Sequence, residues 1–272
     1  MRDALKSLII TGAIVGGLLF DQKVEFWGQT LTNVAMWALL LHWLRRAPAN
    51  EQLAIAVCVT YATLGEIFLS LVWGLYEYRL ANVPLFVPPG HALLFMLGGL
   101  LAARMRDWIV WFVPLAAAPF VFLLAWNGLG TLDGLLFALF LLCLLSGRAS
   151  KLYAVMFALS LAMEIYGTWL GNWTWAEEAP WLGFTTVNPP LAAGAFYCVL
   201  DMLVVATVAR RQRTKLPGGA AALVPVKLKH IRADWPGTRR VLRAASGGIA
   251  LSGRMRGLLY RLTTGSPFSP II

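Results

Sequence analysis

The sequence predicts an all-α, polytopic transmembrane bundle of about eight spans, with seven as the alternative count. Three observations lead there. First, 59% of the 272 residues are hydrophobic and 13% are charged, with a mean hydropathy of +0.69. Soluble domains sit near 45–50% apolar and about 25% charged, so an ordinary water-soluble domain is excluded. Second, apolar runs recur near 4–20, 27–44, 52–73, 86–103, 107–126, 132–147, 152–170 and 189–208. A helix needs about 20 such residues to cross about 30 Å of hydrocarbon. Third, the basic residues between the runs fall on alternate loops.

Taken in order, the first run follows Arg2 and Lys6 and could pass for a signal peptide. It has no clear small-residue cleavage site, which favours a retained span. Arg45 and Arg46 follow the second run, Arg104 and Arg106 the fourth, Arg148 and Lys151 the sixth, and Arg210, Arg211, Arg213 and Lys215 the eighth. All lie on one side if every run crosses, and the positive-inside rule makes that side the cytoplasm. The opposite loops carry Asp21, Lys23 and Glu25, then Glu77 with Arg79, Asp133, and Glu177 with Glu178. The expectation is therefore a protein of a bacterial-type inner (plasma) membrane with both termini cytoplasmic. The first and sixth runs are short, so either could be tilted or re-entrant. Trp27, Trp43, Trp73, Trp108, Trp111, Trp126 and Trp169 cluster at run ends, where the indole ring suits the headgroup level.

Two stretches about 100 residues apart resemble each other. One reads Glu66, Gly74-Leu75-Tyr76-Glu77-Tyr78, Pro84 and Pro88-Pro89; the other reads Glu164, Gly171-Asn172-Trp173-Thr174-Trp175, Pro180 and Pro189-Pro190. One gap is needed between Glu and Gly. The copies, near 52–103 and 152–208, would start four crossings apart and so run parallel, and repeat interfaces are common binding sites in membrane proteins. Glu66 and Glu164 each lie about two turns before the end of a span, roughly 10 Å below the outer surface. An intramembrane carboxyl is costly unless it faces a cavity or a partner. One kept protonated can donate a proton, and two in equivalent places can act as an acid/base pair. The alternative is that each merely locks its own helices by bonding a neighbouring Tyr, Trp or carbonyl.

His91 follows Pro89-Gly90 and can join Glu66, Tyr76 and Tyr78 in a polar cluster. Asp201 is placed about 18 Å along the eighth run from its Pro-Pro start, near the midplane. It completes the candidate catalytic set of Glu66, Glu164, His91 and Asp201. Tyr76, Tyr78, Trp173, Trp175 and Asn188 are the candidate substrate-binding residues, with Thr30 and Asn33 secondary. No metal site is expected, because His91 with carboxylates alone falls short of a ligand set and His42 and His230 lie elsewhere. Cys58, Cys143 and Cys198 sit apart in apolar runs and form neither a disulfide nor a zinc pattern. No cofactor is expected.

The intramembrane Glu, the Gly-x-aromatic-x-aromatic exit and the following prolines resemble the integral-membrane carotenoid biosynthesis proteins, of carotenoid hydratase and lycopene-cyclase-domain type. Glu164, Gly167-Thr168, Gly171, Trp173, Trp175 and Gly183 carry the likeness, with Glu66, Gly74, Tyr76 and Tyr78 more weakly. His91 departs from that pattern, as does the lack of evident paired acids. The resemblance implies proton-initiated hydration or cyclisation of a long polyene, with the aromatic faces steadying a cation. The competing classes are a lipid or small-molecule transporter and a non-catalytic subunit of a membrane complex.

Residues 1–208 form the expected membrane domain, with a net charge of −2. Residues 209–272 form a tail with thirteen Lys/Arg against Asp234 alone, in a chain of net charge +10. A cytoplasmic tail of that kind is drawn to anionic lipid, lying on the surface or staying partly disordered. Nucleic acid is not an expected partner.

Overall fold

A computed structural model describes residues 2–214; residues 215–272, which hold most of the basic tail, lie outside the described residues. Within 2–214 the chain forms eight helices: α1 (Arg2–Lys23), α2 (Gly28–Leu44), α3 (Ala49–Glu66), α4 (Val87–Arg104), α5 (Ile109–Trp126), α6 (Thr131–Ser146), α7 (Ser150–Leu170) and α8 (Gly194–Thr214). A π-helical turn, Ile67–Val72, extends α3. Among the described residues four stretches are long and apolar enough to cross a membrane: Asp3–Lys23, Ala49–Val72, Ile109–Trp126 and Ser150–Leu170.

The surface is apolar and several polar groups are inside, the reverse of a soluble domain. Leu115, Phe120, Phe122, Trp126 and Leu145 are largely exposed, whereas Glu66, Glu164, Asp133 and Asp201 are buried. An apolar exterior on this scale fits contact with hydrocarbon. Pro114 and Pro119 lie inside α5, which membrane helices tolerate where neighbours re-satisfy the freed backbone groups.

Helices α3, α4, α7 and α8 form the centre, with α3 against α4 and α8, and α7 against α4 and α8. α4 is apolar almost all round and the most enclosed, as expected of a core helix. Small residues allow the close approaches. A Cβ on Gly98 would sit 2.1 Å from Met156 Sδ of α7, and one on Gly194 of α8 would sit 2.6 Å from the Phe157 carbonyl of α7.

The connections after α3 and α7 meet at one end of the bundle. β1 (Tyr76–Tyr78) and β2 (Trp173–Trp175) pair antiparallel, Tyr76 opposite Trp175, Glu77 opposite Thr174 and Tyr78 opposite Trp173. Beyond the strands, Arg79 N–H donates to Asn172 O (2.9 Å) and Ala176 N–H donates to Leu75 O (3.0 Å). The second connection also folds a short hairpin, β3 (Glu178–Ala179) with β4 (Phe184–Thr185). These strands add to a helical architecture, and period-2 patterning over three residues was too short to announce them.

Both strands are launched by a glycine in the left-handed region, Gly74 (φ +72°) and Gly171 (φ +83°), where side chains with a Cβ are strained. At α7 the exit is a Schellman cap: Asn172 N–H bonds Gly167 O and Gly171 N–H bonds Thr168 O. The α3 exit has one more residue between Glu and Gly. The π-helical turn absorbs it, with Trp73 N–H donating to Phe68 O and Leu75 N–H to Leu69 O. A π-turn is the expected home for a single inserted residue in a helix.

One expectation is corrected. Pro189-Pro190 does not open α8, which begins at Gly194 after a turn in which Ala193 N–H bonds Pro190 O. Asp201 is therefore about 10 Å into its helix rather than about 18 Å. The start of α8 is held from α6, where the buried Asp133 carboxylate accepts the Ala192 N–H at 2.6 Å. A negative group at a helix start is favoured by the unpaired N–H groups there.

Candidate functional site

Glu66 and Glu164 end up in matched environments. Each lies near the end of its helix, 5% exposed, beneath the strand that its own connection builds. Alternation along a strand turns Tyr76 and Tyr78 inward and Glu77 outward, and likewise Trp173 and Trp175 inward with Thr174 outward. The inward pairs fold back over the carboxyl of the preceding helix. Tyr76 Oη and Tyr78 Oη each donate to Glu66 Oε2 at 2.7 Å. Trp173 Nε1 and Trp175 Nε1 donate to Glu164 Oε2 at 2.8 and 3.1 Å. Gly167 makes room for the second arrangement, since a Cβ there would lie 2.0 Å from Trp173 Cη2.

The following helix completes each half. From α4, His91 Nε2 lies 3.3 Å from Glu66 Oε1. From α8, Tyr197 Oη donates to Glu164 Oε1 at 2.9 Å. The two rings stack on each other, nearly parallel at 4° with centroids 5.0 Å apart. Tyr76 packs on Trp175 (4.9 Å) and Tyr78 on Trp173 (6.0 Å) across the strands. Burial, and next the Glu66 charge, push the Tyr76 and Tyr78 hydroxyls well above their ordinary range. Both stay protonated and serve as donors.

Glu66 and Glu164 border one cavity of about 70 Å³, with His91, Tyr76, Trp175 and Tyr197 also in its wall. Its remaining lining comes from α3 (Tyr61, Ala62, Gly65) and from Ala193, Phe196 and Leu200 at and beyond the start of α8. Tyr61, Gly65, Phe196 and Leu200 are only half-buried, so the cavity gives onto the seam between α3 and α8. Leu64 of α3, Phe68 of the π-helical turn and Leu203 of α8 are exposed apolar side chains of the same elements. The space suits a few water molecules or the tip of a branched hydrocarbon, given that a water occupies about 30 Å³ in the liquid.

The other candidates take different places. Tyr78 and Trp173 hold the glutamates from behind and are not in the cavity wall. Asn188 Oδ1 accepts the backbone N–H of Trp175 at 3.1 Å, which fixes the strand rather than the cavity. Asp201 is fully buried away from the cavity, and neither of its oxygens has a hydrogen-bond partner among the described residues. The Asn33 side-chain oxygen is likewise buried without a partner. No group of three or more His, Cys, Asp or Glu able to hold a metal occurs among the described residues.

Two contributors escaped the sequence reading, Tyr197 and Tyr61. Tyr197 stands four residues before Asp201, on the same face of α8, and that spacing was its only signal. Tyr61 offered none.

Comparison with family models, with curated proteins and with solved structures yields no match to this chain.

Proposed function

We propose that the chain is an integral-membrane enzyme acting on the end of a long apolar isoprenoid, of carotenoid kind, by acid-initiated hydration or cyclisation. The observation that carries this reading is one cavity bordered by two buried carboxyls, Glu66 and Glu164, with half-buried residues of α3 and α8 in its wall, between which its mouth is taken to open toward lipid. A substrate soluble only in hydrocarbon reaches such a mouth sideways. Its terminal unit enters while the rest of the chain stays in the bilayer.

In the reaction a carboxyl proton passes to the terminal double bond, whose electron pair forms the new C–H bond and leaves a tertiary cation. Trp175 and Tyr76 offer ring faces to that cation. It is quenched either by water, which forms a C–O bond and returns a proton to the carboxylate, or by a neighbouring double bond, followed by loss of a ring proton to the carboxylate. Both routes regenerate the acid and need no cofactor.

The same reading takes all eight helices as spans of an inner membrane and the β1–β2 end as the outer one. Both termini are then cytoplasmic, and the basic tail lies near anionic lipid. It also takes the stretches near 52–103 and 152–208 as two copies of one unit. The matched Glu sites and the reciprocal Leu75–Ala176 and Asn172–Arg79 hydrogen bonds support that symmetry.

The test is purified protein in lipid vesicles loaded with an acyclic carotenoid such as lycopene, in deuterated water. The expected product is a hydrated or cyclised end carrying one deuterium, absent with the double variant E66Q/E164Q. An unchanged pigment with the unaltered protein refutes the reading.

A further inference from the structure

Each glutamate has two partners from its strand on Oε2 and one from the next helix on Oε1, but the partners differ in kind: Tyr76, Tyr78 and His91 on Glu66, and Trp173, Trp175 and Tyr197 on Glu164. Glu164 is held by Trp173 and Trp175 through Nε1–H groups that can only donate. Its Oε2 is therefore an acceptor in any arrangement of protons. Tyr197 Oη donates to the second oxygen. Any proton on Glu164 therefore sits on Oε1, against a hydroxyl that can also accept.

Glu66 is held by groups that can exchange roles. Hydroxyls both donate and accept, so Tyr76 and Tyr78 do not dictate the state of Oε2. His91 Nδ1 lies 3.0 Å from the Val87 carbonyl, an acceptor only, so Nδ1 carries a hydrogen. That leaves His91 Nε2 facing Glu66 Oε1 at 3.3 Å with one proton between the two atoms, on either side. Among the described residues no second histidine stands opposite Glu164; its place is taken by Tyr197, stacked on the His91 ring.

We propose that the glutamates divide the work: the Glu66–His91 pair holds the exchangeable proton, while Glu164, its Oε2 locked as an acceptor, faces the cation. This rests on the reaction class proposed above and assigns its parts. The pair gives its proton to the terminal double bond, whose electrons form the C–H bond. The positive charge then lies beside Glu164. The pair recovers a proton from the attacking water or from the newly formed ring. The groups facing His91 are Glu66, the ring of Tyr197 and, across the cavity, Glu164, with Tyr76 and Tyr78 reaching it only through Glu66.

An infrared titration tests this without any substrate. Wild-type protein in lipid nanodiscs is followed from about pH 5 to about pH 9, the range in which a histidine changes charge. In the difference between wild type and each variant, a proton-binding step of the Glu66–His91 pair is expected, seen as a carboxyl or imidazolium band change distinct from those of the protein's other titrating groups. E66Q and H91Q should each abolish or displace it, and E164Q should leave it in place. A step that survives E66Q and vanishes in E164Q overturns the assignment, as does one indifferent to H91Q. In the carotenoid assay E66Q should lower turnover by about 10²–10⁴-fold, the usual worth of a positioned acid, and H91Q should shift the pH profile. If the unaltered protein converts no carotenoid, the reaction class falls, and the infrared result still decides which pair carries the proton.

Discussion

Replacing Gly167 by alanine is the sharpest probe of how the Glu164 half is built. The new methyl would lie 2.0 Å from Cη2, 2.3 Å from Cζ2 and 2.6 Å from Cζ3 of Trp173, all in a rigid ring. The indole has to swing away, and its 2.8 Å bond to Glu164 Oε2 goes with it. Overpacking of this kind costs about 1–3 kcal/mol, and a lost hydrogen bond to a charged group about 1.5–3 kcal/mol. The gain from placing alanine in a helix, about 1 kcal/mol, offsets part of this. The net expectation is a loss of about 3 kcal/mol, with a change in the environment of one tryptophan. Gly134 in α6 has nothing within 4 Å of a built Cβ, so G134A should be neutral or slightly stabilising. Thermal unfolding in detergent with tryptophan emission as the signal measures both. If G167A is as stable as G134A with unchanged emission, the close seating of Trp173 over Glu164 is wrong.

Three further outcomes are expected. D201N should change stability by no more than about 0.5 kcal/mol, or raise it, because the buried carboxyl makes no hydrogen bond that the amide would lose; a thermal shift of several degrees downward in detergent would contradict this. R79Q should loosen the end of α1, since Arg79 Nη2 bonds Asp21 Oδ1 at 3.3 Å and the Asp21 carbonyl at 2.9 Å, and hydrogen exchange should rise over residues 18–23. Asp21 keeps its 2.9 Å bond from Asn172 Nδ2, so the cost should stay near 1–2 kcal/mol rather than the larger penalty of a bare buried charge. Deleting Ser70 should be tolerated better than deleting Thr168, because the π-helical turn at 67–72 holds a residue that the α7 exit does without; comparing the folded yields of the two deletions on size exclusion checks it.

The eight apolar runs and the eight helices coincide to within a few residues at most ends, because hydrophobic length is a strong signal where the exterior is itself apolar. α8 is the exception at both ends, Gly194–Thr214 against a run near 189–208. Pro189-Pro190 was read as a helix opening by analogy with Pro88-Pro89 of α4, and only the tertiary fold distinguishes them. Asp133 reaches from α6 to the Ala192 N–H, a contact 59 residues away in sequence. The one-residue gap between Glu66 and Gly74 was visible in the aligned stretches, yet nothing local says whether a helix absorbs it as a loop, a kink or a π-turn. The pairing of Tyr76–Tyr78 with Trp173–Trp175 was likewise hidden, since strands of three residues carry too little alternation. That Glu66 and Glu164 share a cavity depends on this pairing, which brings two distant helix ends together. Asp201 drew attention by its depth alone, and depth does not say which groups a side chain meets.

The most direct measurement of the central claim is a cryo-electron microscopy map of the protein in nanodiscs containing an acyclic carotenoid. The account predicts elongated density in the seam between α3 and α8, passing Tyr61 and Leu200 and ending beside Glu66, His91 and Glu164. A closed seam with each glutamate bound only to its own tyrosines or tryptophans, and carotenoid found elsewhere on the surface, would contradict it.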